Sequence, residues 1–282
     1  MFRIVEKREL NPTVTFMKVS APRVAAKAQA GQFIILRVGG DGERIPLTVA
    51  GYDRDAGTVD IIFQIVGATT EKLNALGEGD FIHDFVGPLG RPTEIDGLGK
   101  VAVVGGGVGC AIALPVARAL CDAGCEVHSV VGFRNRDLVI LEDEFRAVST
   151  KMKIMSDDGS YGEKGLVTDA LRSLIESGEK YDRVIAIGPL IMMKFVCKLT
   201  AEYGIPTVVS MNPIMIDGTG MCGGCRLTVD GKMKFACVDG PDFDGHKVDF
   251  DEAMKRSSVY RDFEKHAREE TCRLLKGGNA NA

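Results

Sequence analysis

From residue 101 to residue 209, short apolar runs (101–104, 127–133, 153–155, 183–187 and 207–209) alternate with stretches of helical pattern (108–123, 141–148, 166–176 and 192–203). Strands separated by whole helices return across a sheet face rather than by hairpins, so the alternation predicts a parallel, doubly wound α/β sheet. The first hundred residues follow a different rule. Six β-rich runs (3–9, 14–19, 33–38, 44–50, 58–65 and 81–86), with one helical interruption near 70–76, predict a small antiparallel β-barrel or sandwich. Gly87-Pro88-Leu89-Gly90-Arg91-Pro92, followed by 97–100, reads as a loop and domain boundary.

After Asn212 the text turns Gly- and Cys-rich, and after Asp249 it is highly charged, with apolar residues at Phe250, Met254, Phe263, Ala267 and Leu274 that suit an amphipathic helix or a pair of helices. The expected division is a barrel over 1–97, an α/β domain over 98–211, a small cysteine-loop segment over 212–248 and a charged helical tail over 249–282. A chain of 282 residues supplies about two domains of ordinary size. The 35 basic and 39 acidic side chains leave a net charge of −4, which gives no field to draw in nucleic acid or an anionic membrane. Charged residues between Arg3 and Glu9 stand where a signal peptide needs an apolar run, and the longest uncharged stretch, 101–117, is short for a membrane span and rich in glycine. A cytoplasmic protein is expected, in which eight cysteines serve as thiols or metal ligands rather than as a disulfide framework.

The strongest chemical signal is Asp217-Gly-Thr-Gly-Met-Cys222-Gly-Gly-Cys225, with Cys237 further on. Plant-type iron–sulfur sites use Cys-x4-Cys-x2-Cys and a distant Cys, and this loop has that spacing with Asp217 in the first place. Its glycines allow positive φ and let backbone N–H groups turn toward cluster sulfides. Three thiols and an acid could alternatively hold structural zinc or, last of the three readings, stand unligated, and Asp217 could merely accept hydrogen bonds from the loop. Cys110, Cys121, Cys125, Cys197 and Cys272 fall on helices or at strand edges and are ordinary packing or surface residues. The four histidines form no metal-binding or catalytic spacing.

Gly105-Gly106-Gly107-Val108-Gly109 closes the first strand of the second half and opens its first helix, where glycines permit a pyrophosphate to approach a helix N-terminus. The G-x-G-x-x-G fingerprint is not met, since Cys110 stands at the third glycine, and Arg134-Asn135 stands where an acid would follow the second strand. Gly188-Pro189 follows the fourth strand and is expected on the same sheet edge. In the first half, Arg44-Ile45-Pro46-Leu47-Thr48 opens a strand, and Ile62-Phe63-Gln64 closes another and leads through Thr69-Thr70 into a helix. An Arg and a hydroxyl beside a helix N-terminus suit a diphosphate, although an exposed Arg on a barrel strand is the simpler account.

The order of parts resembles the ferredoxin-reductase superfamily, in particular the electron-transfer subunits that partner dihydroorotate dehydrogenase, and within that group the small subunits of NADH-dependent reduced ferredoxin:NADP+ oxidoreductases. The stretches 187–194, 211–225 and 236–246 carry the likeness. The resemblance implies FAD on the barrel through Arg44, Pro46, Leu47, Thr48, Ile62, Phe63, Gln64, Thr69 and Thr70. It implies NAD(H), with NADP(H) as the alternative, beside Gly107, Val108, Gly109, Gly188, Pro189 and Met192. It implies a [2Fe-2S] cluster on Asp217, Cys222, Cys225 and Cys237. Thr69-Thr70 stands for the family's Gly-Thr, and Ile187 stands where members often place Cys, so no thiol assists hydride transfer. Dihydroorotate-type subunits carry Cys at the Asp217 position, which favours the ferredoxin:NADP+ oxidoreductase group.

The implied function is electron transfer between NAD(H) and a partner, a larger flavoprotein with FAD and [4Fe-4S] clusters that meets ferredoxin, with electron bifurcation as an extension. The competing readings are an electron-transfer subunit of a dihydroorotate dehydrogenase complex and a zinc-stabilised nucleotide-binding redox sensor.

Overall fold

The computed structural model describes residues 1–277. The first unit contains β1 (Phe2–Asn11), β2 (Val14–Ser20), α1 (Pro22–Ala25), β3 (Phe33–Arg37), β4 (Arg44–Asp53), β5 (Thr58–Gln64), α2 (Ala68–Ala75), β6 (Phe81–Ile82) and β7 (Asp84–Leu89). Its antiparallel sheet runs β6-β1-β2-β5-β4-β3-β7. The two edge strands are successive pieces of chain joined at His83, so the sheet curls into a nearly closed barrel. The expected strand over 81–86 is thus two strands that serve opposite edges, and β7 continues into the stretch read as a loop. Alternate residues of β2, β3 and β5, among them Met17, Val19, Ile34, Leu36, Ile61 and Phe63, fill the barrel interior.

The second unit follows with β8 (Lys100–Gly106), α3 (Gly109–Asp122), β9 (Glu126–Phe133), α4 (Glu142–Val148), β10 (Lys151–Ser156), β11 (Glu163–Lys164), α5 (Val167–Glu176), β12 (Arg183–Ile187), α6 (Leu190–Glu202) and β13 (Thr207–Ser210). Its sheet has the order β11-β10-β9-β8-β12-β13-β16 and is parallel except for β16 (Asp242–Asp244), which pairs antiparallel with β13. Burial on both faces is visible within one strand. Val101 and Val103 of β8 pack with α3 and α4, whereas Ala102 and Val104 pack with α5 and α6. The chain winds outward from β8 in one direction and from β12 in the other. In such sheets the crevice outside the carboxyl ends of the strands at that reversal is where ligands bind.

The remaining elements are the hairpin β14 (Arg226–Val229) and β15 (Lys232–Phe235), α7 (Ala236–Asp239), α8 (Phe250–Ser257) and α9 (Arg261–Gly277). The charged tail is therefore a pair of helices over the described residues. Asp249 caps α8 by accepting the Glu252 N–H at 2.9 Å. Among the described residues no helix is long and apolar enough to cross a membrane.

At the opposite end of the parallel sheet, Glu126, His128 and Glu179 converge as a metal site would. The space is already filled, because the Lys100 ammonium lies 3.0 Å from Glu126 Oε1 and 2.7 Å from Glu179 Oε2. His128 is buried and satisfied, between the Tyr181 hydroxyl at 2.9 Å and Glu126 at 3.0 Å. Hydrogen bonds from Lys100 and Lys151 bring the Glu179 carboxyl down from 4.5 to about 2. The folded state thus binds this proton more weakly than the unfolded chain. Its stabilising contribution is present above about pH 4.5 and is lost as pH falls toward 2. Denaturation midpoints measured across that window should fall more steeply for the wild-type chain than for Glu179→Gln.

Candidate functional site

Strands β4 and β5 lie side by side in the barrel wall and carry Pro46–Thr48 and Ile62–Gln64 to the side facing the α/β unit. After β5 the chain turns into α2, and the turn is fixed by Thr70, whose hydroxyl accepts the Val66 and Gly67 N–H groups at 3.0 and 2.9 Å and donates to the Gly67 carbonyl. The Thr69 hydroxyl donates to Glu43 Oε2 at 2.8 Å.

Across from these strands, at the carboxyl ends of β8 and β12, the two glycine turns touch. A methyl group on Gly109 would come within 2.5 Å of the Ile187 carbonyl oxygen and 2.7 Å of Gly188 Cα, so only glycine lets the α3 N-terminus sit this close to the β12 turn. Gly107 has φ +55°, and a methyl group there would meet no protein atom within 4 Å.

Barrel and α/β turns face one cavity of about 870 Å³. Of the flavin residues implied by resemblance, Pro46, Leu47, Thr48, Ile62, Phe63, Gln64 and Thr70 line it, and so do Gly107, Val108, Gly109, Gly188, Pro189 and Met192 of the nucleotide set. Arg44 and Thr69 do not. Arg44 is exposed at the start of β4 and has no ion-pair partner among the described residues, while Thr69 is turned toward Glu43.

Sequence reasoning missed three stretches of the wall. The loop after β10 brings Asp157, Gly165, Leu166 and Thr168 to the same sheet edge, the β1–β2 turn brings Asn11 and Thr13, and Ser210, Met211 and Met215 close the side next to the cysteine loop. Asp157 was the legible one, since the end of a parallel strand next to the glycine turn is part of the ligand-binding edge. Behind Ser210, burial raises the pKa of Asp242; Thr93 donates to its Oδ2 at 2.6 Å, and its Oδ1 has no partner among the described residues.

The cysteine loop abuts the barrel. Gly218 has φ +75°, and a methyl group there would lie 2.6 Å from Leu89 Cδ1 and 3.0 Å from Ile35 Cδ1. Gly220 and Gly223 also have positive φ, at +83° and +67°. The four expected ligands fall into two pairs. Asp217 lies beside the Cys222 thiol, its carboxylate accepting the Thr219 and Cys222 N–H groups at 2.9 Å each, and the Thr219 bond leads in holding its pKa below the usual carboxylate value. The Cys225 and Cys237 thiols are buried and face each other, and burial pushes Cys237 up to about 12. A thiol so reluctant to ionise becomes a thiolate when a metal takes the proton's place.

Residues 103–198 match the oxidoreductase NAD-binding domain, and residues 212–249 match the iron–sulfur cluster binding domain of dihydroorotate dehydrogenase B. The chain is 48% identical to a dihydroorotate dehydrogenase B electron-transfer subunit homologue of Thermotoga maritima, over 93% of this chain and 92% of that one. It is 33% identical to the electron-transfer subunit of Streptococcus mutans, over 88% and 97%. Among solved structures, that of the NADH-dependent reduced ferredoxin-NADP oxidoreductase, from work on flavin-based electron bifurcation, superposes with a TM-score of 0.91 at 47% identity, covering 96% of this chain and 97% of that one. The chain belongs to the family of NAD(H)-linked, iron–sulfur electron-transfer subunits typified by those of dihydroorotate dehydrogenase B.

Proposed function

We propose that this chain is the small electron-transfer subunit of a ferredoxin:NADP+ oxidoreductase of the electron-bifurcating type, with FAD on the barrel wall, NAD(H) on the α/β wall and a [2Fe-2S] cluster in the 212–248 segment. The observation that carries this reading is the single cavity lined by Pro46–Thr48 and Ile62–Gln64 on one side and by Gly107–Gly109, Gly188, Pro189 and Met192 on the other. When bound, these groups exchange the electron pair of a hydride for single electrons passed onward one at a time.

The chain's own residues prepare that exchange. Phe33, Ile62, Pro189 and Met192 make the cavity largely apolar and limit water at its centre. Thr48 and Gln64 offer polar groups to orient a ring system. Gly107 keeps the α3 N-terminus open to a pyrophosphate. Ile35 and Phe33 of β3 connect the cavity wall to the core under the cysteine loop.

The donor set favours two irons over zinc. Zinc draws four donors around one point. Two facing pairs suit two metals, with Asp217 and Cys222 on one and Cys225 and Cys237 on the other.

The partner in this reading is a larger flavoprotein with FAD and [4Fe-4S] clusters, through which the chain reaches ferredoxin. The match of residues 212–249 keeps a second reading open, service to a dihydroorotate dehydrogenase. Anaerobic purification should yield yellow-brown protein with about one FAD and two irons per chain. Colourless, zinc-containing protein would overturn the cofactor reading. Co-purification with a dihydroorotate-oxidising flavoprotein, instead of one that reduces ferredoxin, would replace the first partner by the second.

A further inference from the structure

Helix α9 crosses back from the tail and packs on α2, the barrel helix that opens beside the cavity. Arg268 carries the polar part of this contact. Its Nε and Nη2 lie 3.2 and 3.0 Å from Glu71 Oε1, a residue 197 positions earlier in the chain, and Nη2 lies 3.5 Å from the Ile65 carbonyl oxygen. Ile65 and Glu71 bracket the turn whose Val66 and Thr70 line the cavity.

Two acids stand beside this end of the cavity, outside its lining. Glu71 stands in the first turn of α2, and Glu43 accepts the Thr69 hydroxyl. A carboxylate in the first turn suits the helix dipole, but it repels a diphosphate brought to the same N-terminus. Arg44, the cation that the sequence offers here, is exposed and outside the cavity wall.

We propose that Arg268 is a positioning residue for the flavin: it neutralises Glu71 and holds the 65–70 turn, so that the N-terminus of α2 receives the flavin diphosphate and the C-terminal helix becomes part of the flavin site. This rests on the flavin reading above. Charge neutralisation differs from simple anchoring of α9 in one respect. If the role of Arg268 is to offset Glu71, it becomes dispensable once Glu71 is neutral.

The test is flavin release from the full-length holoprotein on dilution, followed by recovery of FAD fluorescence, for wild type, Arg268→Ala, Arg268→Lys, Glu71→Gln and the Glu71→Gln/Arg268→Ala double variant. Iron content and far-UV circular dichroism check that each chain is folded. Arg268→Ala should raise the FAD dissociation constant about fivefold, with Arg268→Lys keeping most of the affinity. In the Glu71→Gln background the loss should shrink to less than about twofold. Equal losses in both backgrounds, or no loss in either, would overturn the inference while leaving the flavin reading intact. Wild-type protein that holds no FAD would overturn the flavin reading and this inference with it.

Discussion

Asp217→Ala should leave a chain that cannot keep its full complement of iron, whereas Asp217→Cys should keep the cluster and lower its reduction potential. Cys at this position restores the all-cysteine plant-type spacing with Cys222, Cys225 and Cys237. A carboxylate oxygen is a harder and weaker electron donor than a thiolate, so it stabilises the oxidised iron less. Replacing it should move the potential downward by on the order of 100 mV. The loop can accept either side chain, because Asp217 is only half-buried and its carboxylate is met by backbone N–H groups. The competing account is built into the same hydrogen bonds. Both carboxylate oxygens already accept N–H groups, which is what a purely loop-shaping Asp would do, although a carboxylate has lone pairs to spare for a metal. Redox titration followed by electron paramagnetic resonance separates the two. If both variants keep the wild-type potential, g-values and iron content, Asp217 shapes the loop and is not a ligand.

The parallel sheet was legible because burial on both faces forces its strands to be apolar throughout, and because helix-length separations leave crossovers as the only connection. The barrel was legible as strand runs, but its closure was not. The role of His83 as the joint between opposite sheet edges depends on hydrogen bonds to Arg37 and Val38, more than forty residues earlier, and no local pattern encodes that. The same holds for β16, three residues that add an edge to a sheet begun far upstream. At the site, glycine runs and cysteine spacing announced themselves since each needs a rare residue type. Ser210 did not, because a strand-end serine is common everywhere and acquires meaning only when a fold brings it to a shared cavity. Arg44 itself lies just outside the cavity wall, which begins at its neighbour Ile45, and the cation paired at the α2 end comes from the C-terminal helix.

Three Gly→Ala substitutions should have sharply different consequences. Gly109→Ala drives a methyl group into the backbone of the Ile187–Gly188 turn, at 2.5 and 2.7 Å, and backbone cannot step aside as a flexible side chain can. That overpacking should cost about 1–3 kcal/mol of stability and part the two turns, weakening NADH binding as well. Gly107→Ala meets no protein atom within 4 Å, so its structural cost is the positive φ alone, about 1–2 kcal/mol. Its added methyl stands on the cavity wall where a pyrophosphate would approach, and NADH affinity should fall by on the order of tenfold or more. Gly124, beyond the far end of α3, has φ +85° and equally open surroundings, so Gly124→Ala has a comparable backbone penalty without touching the cavity. Chemical denaturation and NADH titration of the three variants then read stability and binding separately. Affinity lost in Gly107→Ala and kept in Gly124→Ala assigns the loss to ligand approach. Equal affinities in those two variants would mean that the glycine run is only a tight strand-to-helix turn and that the nucleotide lies elsewhere.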